Sequence, residues 1–173
     1  MKSFSRMTEE DGSLLSAQAV QRLRDLLLPV IIAEGGSGKS TGGDGLVAAF
    51  DCAADAARAA VHIQLALADY NQRADRQREL MVRVGIATGE VVLDKNGRPF
   101  IGSALNLAAR VMNLADGGQA FATSDVVCSA GSEFRVHSHG AFEFKNIAQP
   151  VEVFELLWQA GQMPSSPEDR VTA

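Results

Sequence analysis

Asn106 and Arg110 stand four residues apart in the segment GSALNLAAR, residues 102–110, a spacing that sets an amide and a guanidinium side by side on one face of a helix. Ser103 and Asn113 extend that polar stripe, with Leu105, Ala108 and Met112 along one border and Leu107, Val111 and Leu114 along the other. A charge on a helix that is apolar nearly all round must meet a counter-charge, and the planar fork of Arg suits phosphate or carboxylate. The stripe therefore predicts either a ligand phosphate or an internal acid opposite Arg110.

Asp44 sits between Gly43 and Gly45, ahead of the short apolar run Leu46 to Phe50. Turn geometry alone favours an aspartate there. The position also suits Mg²⁺, which is held through one or two carboxylates together with substrate phosphates. Lys145, in Phe144-Lys145-Asn146-Ile147, reads by itself as a strand lysine with its ammonium in solvent. The segment AEGGSGKS, residues 33–40, resembles a relaxed phosphate-binding loop. That device needs a strand before it and a helix opening at its Lys-Ser end, whereas helix is expected before it and glycines follow; a glycine-rich hairpin is the alternative. His62, His137 and His139 lack a third partner at metal-ligand spacing and read as structural or solvent-facing. Phe121, Phe142, Phe144 and Phe154 fall on expected strands, where core packing accounts for them.

These residues need a scaffold, and the patterning supplies one. Ser13 to Glu34 reads as a helix with Ser13 as N-cap and Pro29 as a kink or interruption. Gly35 to Gly45 must be a turn or hairpin, followed by a strand over Leu46 to Phe50. Ala53 to Tyr70 is a second helix, closed by the polar segment Asn71 to Glu79. Met81 to Ile86 alternates as a strand does, Val91 to Leu93 continues it past Thr88-Gly89, and Asp94-Lys95-Asn96-Gly97 is a tight turn. The stripe helix follows and ends near Asp116, then a strand at Ala120 to Thr123, a brief helix capped by Ser124, and strands at Phe134 to Val136, Ala141 to Phe144 and Val151 to Trp158. The pattern is α+β without internal repeats. One domain is expected over residues 1–158, with a disordered tail over 159–173.

Composition narrows the function classes. A chain of 173 residues fits one domain with a real core. A net charge of −5 argues against a general nucleic-acid binder, while leaving room for a nucleotide site built on a few local cations. Cys52 and Cys128 form no disulfide framework or close metal spacing, so a reducing cytoplasm is the expected setting. The longest apolar run, Leu26 to Ala33, is far too short for a bilayer, and Met1 to Gly12 does not read as a signal peptide. No membrane contact is expected.

In their order and separation, the segments around Gly43-Asp44-Gly45, Gly102 to Arg110, and Phe144 to Ile147 with Gln149 to Phe154 resemble the catalytic domain of class III nucleotide cyclases, the adenylate and guanylate cyclases. The resemblance runs from about Phe4 to Trp158. It implies a ferredoxin-like core, an antiparallel-rich sheet flanked by helices, that pairs head to tail as a homodimer or with another cyclase domain. It implies conversion of ATP or GTP to the 3′,5′-cyclic nucleotide and pyrophosphate with Mg²⁺ or Mn²⁺, an activity of intracellular signal transduction. By the same resemblance Asp44 is a metal ligand, Asn106 orients the ribose, Arg110 neutralises charge developing on the phosphate, and Lys145 contacts the terminal phosphates.

The family's metal and cation halves come from different subunits, which predicts an inactive monomer. Three departures matter. The family's first metal aspartate would fall one residue before Met1, so the domain reads as lacking its first strand; Glu9, Glu10 and Asp11 lie beyond that strand. The purine-selecting lysine falls on Ser40 when counted back from Asp44 without a gap, with Lys39 beside it. A one-residue slip reverses a strand side chain. The partner acid falls on Pro99, so residue identity does not choose between adenine and guanine. The alternative that these departures favour is a catalytically impaired, cyclase-like regulatory or heterodimerising nucleotide-binding module.

Overall fold

A computed structural model describes residues 2–41, 43–74 and 79–164. Helix α1, Lys2–Ala33, precedes the hairpin β1, Ser37–Ser40, and β2, Leu46–Ala49; α2, Ala53–Arg73, leads to β3, Val84–Ile86. The hairpin β4, Val92–Leu93, and β5, Pro99–Ile101, opens onto α3, Ser103–Asn113, followed by β6, Ala120–Thr123, α4, Ser124–Ala130, β7, Val136–Phe142, and β8, Val151–Leu156. The main sheet has the order β3-β6-β8-β7, with β3 and β6 parallel and the other pairs antiparallel. The α+β class stands, with helices flanking the sheet.

Strand alternation divides the core between the two sheet faces. From β6, Ala120 and Ala122 pack with Ala57 and Ala60 of α2, Val126 of α4, Ile86 and Leu156. Phe121 points the other way, to Val111 and Ala115 at the α3 side and to Val153. Gly85 is opposite Phe121 in the register, and a Cβ there would overlap the Ala108 carbonyl oxygen and the Met112 amide. The missing side chain is what lets α3 lie on β3. Gly85→Ala is expected to cost about 1–3 kcal/mol of stability through overpacking. Thermal unfolding checks this, at roughly 2–4 °C of Tm for each kcal/mol in a chain of this size.

Several expected boundaries move. The first helix starts before Ser13, so Ser13 is not its cap, and the helix runs through Pro29 to Ala33. Leu27 and Ile31, both buried, hold it on either side of the proline, and packing of this kind outweighs propensity. The helix after β6 is preceded by Thr123 rather than capped by Ser124. One strand, β7, replaces the two expected around His137-Ser138-His139-Gly140, with a bulge between Ser138 and Ala141 and Gly140 at φ +84°. Gln159 to Pro164, expected as tail, includes a turn in which Gln162 bonds the Trp158 and Gln159 amides and the Glu155 carboxylate. Residues 75–78 of the polar segment and 165–173 of the tail lie outside the described residues.

The 94–97 turn forms as expected. Gly97 is at φ +70°, and the Arg98 and Asn96 amides donate to Asp94 Oδ1 at 3.0 and 2.8 Å. The Arg98 amide bond is the largest influence holding the Asp94 carboxyl below its ordinary range.

Among the described residues β2 pairs only with β1, and β3 only with β6. A cavity of about 1350 Å³ reaches both strands and has walls from α2 (Ala60, Ile63) and α3 (Ala104, Ala108).

Candidate active site

Helix α3 carries the polar stripe as expected. Val111 is fully buried beneath it, while Asn106 is exposed and Arg110 half-buried. Phe142 and Phe144 pack on the same small core as Val111, which brings the start of the β7–β8 connection against α3. In that connection Ile147 bonds the Phe144 carbonyl at 3.0 Å, and Asn146 takes a left-handed φ of +62°. Lys145 therefore lies in a turn rather than on a strand, with its side chain exposed. Arg110 Nη1 donates to the Lys145 main-chain carbonyl.

Among the described residues the group that Arg110 meets is a neutral carbonyl rather than an acid. One bond uses one of five guanidinium donors. Two cationic residues separated by 35 positions in sequence are thus joined, through the side chain of one and the main chain of the other, with Asn106 a helical turn from Arg110.

The second half of the site is the β1–β2 hairpin. Gly36 and Gly38 face α1, since a Cβ on either would meet Ile31 and, respectively, Phe50 or Leu28. Ser40 continues that face, and its Oγ accepts from Arg24 Nη2 at 2.7 Å. Small residues at every second position let the hairpin lie against the helix. This accounts for two of the three glycines of AEGGSGKS, and the third, Gly35, takes a left-handed φ of +79° at the turn; a helix precedes the loop and a strand lies in it, the reverse of a phosphate-binding loop. Lys39, opposite Val47 in the register, takes the other face by strand alternation. Ser40 is engaged with α1, and Lys39 is turned away from it. Pro99 is buried in β5.

Asp44 is half-buried at the hairpin tip and lines the cavity, whose walls do not include Asn106, Arg110 or Lys145. The chain therefore joins Arg110 to the Lys145 main chain with Asn106 on the same helix, while Asp44 stands on a separate hairpin and lines a cavity that α3 also borders through Leu105 and Ala108. Among the described residues no group of three or more His, Cys, Asp or Glu side chains could hold a metal. A single carboxylate fits Mg²⁺ or Mn²⁺ only in the mode where most remaining ligands are phosphates and water. His139 and Glu155, in contrast, are bonded to each other at 3.0 Å with both side chains buried, and Phe121 stacks on His139. These are core groups, so His139 takes the structural of the two readings, while His62 and His137 are exposed.

Arg24 is the residue that sequence reasoning missed. Its contact with the hairpin follows from the packing of α1 over β1, where Leu28, one turn on, lies over Gly38.

Residues 3–157 match the family model described as the adenylate and guanylate cyclase catalytic domain. A Rhizobium meliloti (strain 1021) protein named "Putative adenylate cyclase 3" is 30% identical over 176 residues, covering 96% of this chain. This chain spans 27% of the length of that relative. A solved adenylate/guanylate cyclase/hydrolase from Silicibacter pomeroyi is 32% identical, with a TM-score of 0.72 and 90% of each chain covered. A Trypanosoma brucei adenylate cyclase solved in its monomeric state shares the fold at 22% identity, with a TM-score of 0.76, covering 94% of this chain and 86% of that one.

Proposed function

The chain belongs to the adenylate and guanylate cyclase catalytic-domain family, and on that premise we propose that two copies of it convert ATP or GTP into the 3′,5′-cyclic nucleotide and pyrophosphate. The observation that carries this reading is the division of the site. Arg110, joined to the Lys145 main chain and sharing α3 with Asn106, and Asp44, on the β1–β2 hairpin, stand on different elements with no bond between them among the described residues. A triphosphate needs both, so a second copy must supply what the first lacks. The hairpin β4–β5 supports such pairing: Val92, Leu93 and Ile101 are 57%, 49% and 59% exposed, apolar side chains grouped on one element as at interaction sites.

The roles follow from chemistry at each position. Asp44 would hold a divalent cation shared with the triphosphate, and that cation would polarise the phosphoryl group and lower the pKa of the attacking 3′-hydroxyl. Asn106 orients the ribose by its amide. Arg110, anchored on the Lys145 carbonyl, presents its remaining donors to the phosphate that gains charge as the ring closes, preorganised stabilisation of the strongest kind. Lys145 holds the leaving pyrophosphate as a point charge. Lys39, on the hairpin face away from α1, takes the base-side position that counting had given to Ser40. Buried Pro99 offers that base no side-chain polar group, so Lys39 and main-chain atoms choose the purine.

Mixing two inactive variants tests the shared site. Arg110→Ala and Asp44→Asn, each alone, leave every site of their own homodimers defective. Equal mixing should return about a quarter of wild-type turnover, because half of the dimers are mixed and each of those has one intact site. Cyclic nucleotide formation with Mn²⁺ measures it. No recovery on mixing, with dimers present by sedimentation, would overturn the divided site. Recovery only with a different cyclase domain would establish the heterodimerising module instead.

A further inference from the structure

Arg24 reaches out of α1 to the tip of the β1–β2 hairpin. Its Nη2 donates to Ser40 Oγ at 2.7 Å and to the Gly43 carbonyl at 2.8 Å, and Gly43 immediately precedes Asp44 in the chain. Its Nε is buried with no partner among the described residues. Leaving a buried donor of a charged group unpaired is costly, so this arginine is an expensive way to fill the position. A leucine would continue the apolar stripe of Leu23, Leu27 and Ile31 at no such cost.

The spacing explains why the guanidinium lands where it does. Leu28 lies over Gly38. Four residues back along the helix cover about 6 Å, nearly the length of two strand residues, which carries Arg24 from Gly38 to Ser40. The tip needs an external hold. Thr41 N and Thr41 Oγ1 both bond the Gly45 carbonyl, at 3.1 and 3.2 Å, so beyond the ladder the tip's own bonds among the described residues converge on one acceptor. Gly43 and Gly45 flank Asp44, and glycine loses more freedom than any other residue when fixed.

From this geometry we infer that Arg24 is a positioning residue, which clamps the hairpin tip from α1 and thereby fixes the Asp44 carboxylate for a metal–triphosphate. The inference rests on the reading of Asp44 as a metal carboxylate. A helix-to-hairpin tie that only adds stability would loosen the whole molecule when cut. A positioning clamp loosens the tip and weakens metal binding while leaving the sheet alone.

Two measurements on the full chain separate these cases, and neither depends on turnover. Amide exchange by NMR follows Thr41, whose amide bonds the Gly45 carbonyl, against Ala122 in β6. Mn²⁺ titration by EPR in the presence of 3′-deoxy-ATP, which cannot cyclise, follows metal affinity. Arg24→Gln should speed Thr41 exchange about tenfold, the scale for losing charge-assisted bonds in a local opening, with Ala122 unchanged. It should also weaken Mn²⁺ binding about tenfold, and Arg24→Lys, which keeps the charge but not the fork, should recover part of both.

Unchanged Thr41 exchange would overturn the clamp. Equal acceleration at Thr41 and Ala122 would reduce it to a stability tie. A loosened tip with undiminished Mn²⁺ affinity, in a protein whose wild type binds Mn²⁺ with the analogue, would overturn the link to Asp44. Failure of the metal reading itself shows separately, as no Mn²⁺ binding by the wild type, and the positioning role then falls with it whatever the exchange shows.

Discussion

Arg110→Ala lowers cyclic nucleotide turnover by about a hundredfold or more, the scale set by losing one preorganised donor at a developing oxyanion. The loss belongs in kcat more than in KM, because the charge that Arg110 meets is fully developed only in the transition state. Its bond to the Lys145 carbonyl fixes the guanidinium with donors to spare. Arg110→Lys should fare little better, since an ammonium cannot hold that carbonyl and also present a fork to phosphate. Steady-state rates with Mn²⁺ and each purine triphosphate measure the effect, and a melting curve guards against a folding defect. Arg110 is half-buried rather than core, so Tm should move little; turnover that does not change would remove Arg110 from the mechanism.

Asp44→Asn should cost more, on the order of a thousandfold. A metal at a phosphoryl centre supplies several kcal/mol of charge stabilisation, and each 1.36 kcal/mol is a factor of ten in rate. The substitution keeps size and hydrogen bonding while deleting the one charge that the hairpin tip offers. Its signature is a steep rise in the Mn²⁺ concentration needed for half-maximal rate. A variant that saturates with Mn²⁺ as the wild type does would assign the metal elsewhere.

Much of this site was legible before the fold. The four-residue spacing of Asn106 and Arg110 on a helix with a buried opposite face carried through to α3. Long periodic segments such as Ala53–Arg73 and the apolar run Ala120–Thr123 also carried through. What failed to show did so for physical reasons. Ser37–Ser40, SGKS, has none of the β-branched or aromatic residues that mark a strand; it is one because small side chains let it pack on α1. His137 to Gly140 is polar, and only pairing with β8 reveals that one strand runs through it. Arg24 and Ser40 are sixteen residues apart, and Arg110 and Lys145 thirty-five. No local pattern encodes contacts between separate elements, so each could be read only once packing had placed them.

Among the described residues, Leu46–Ala49 and Val84–Ile86 each keep one flank of main-chain donors and acceptors outside the ladders in which they take part. Such a flank is a template for chain addition, and here two of them border the same apolar hollow. Among the described residues these flanks are two places where the hairpin and the main sheet can each accept a further strand.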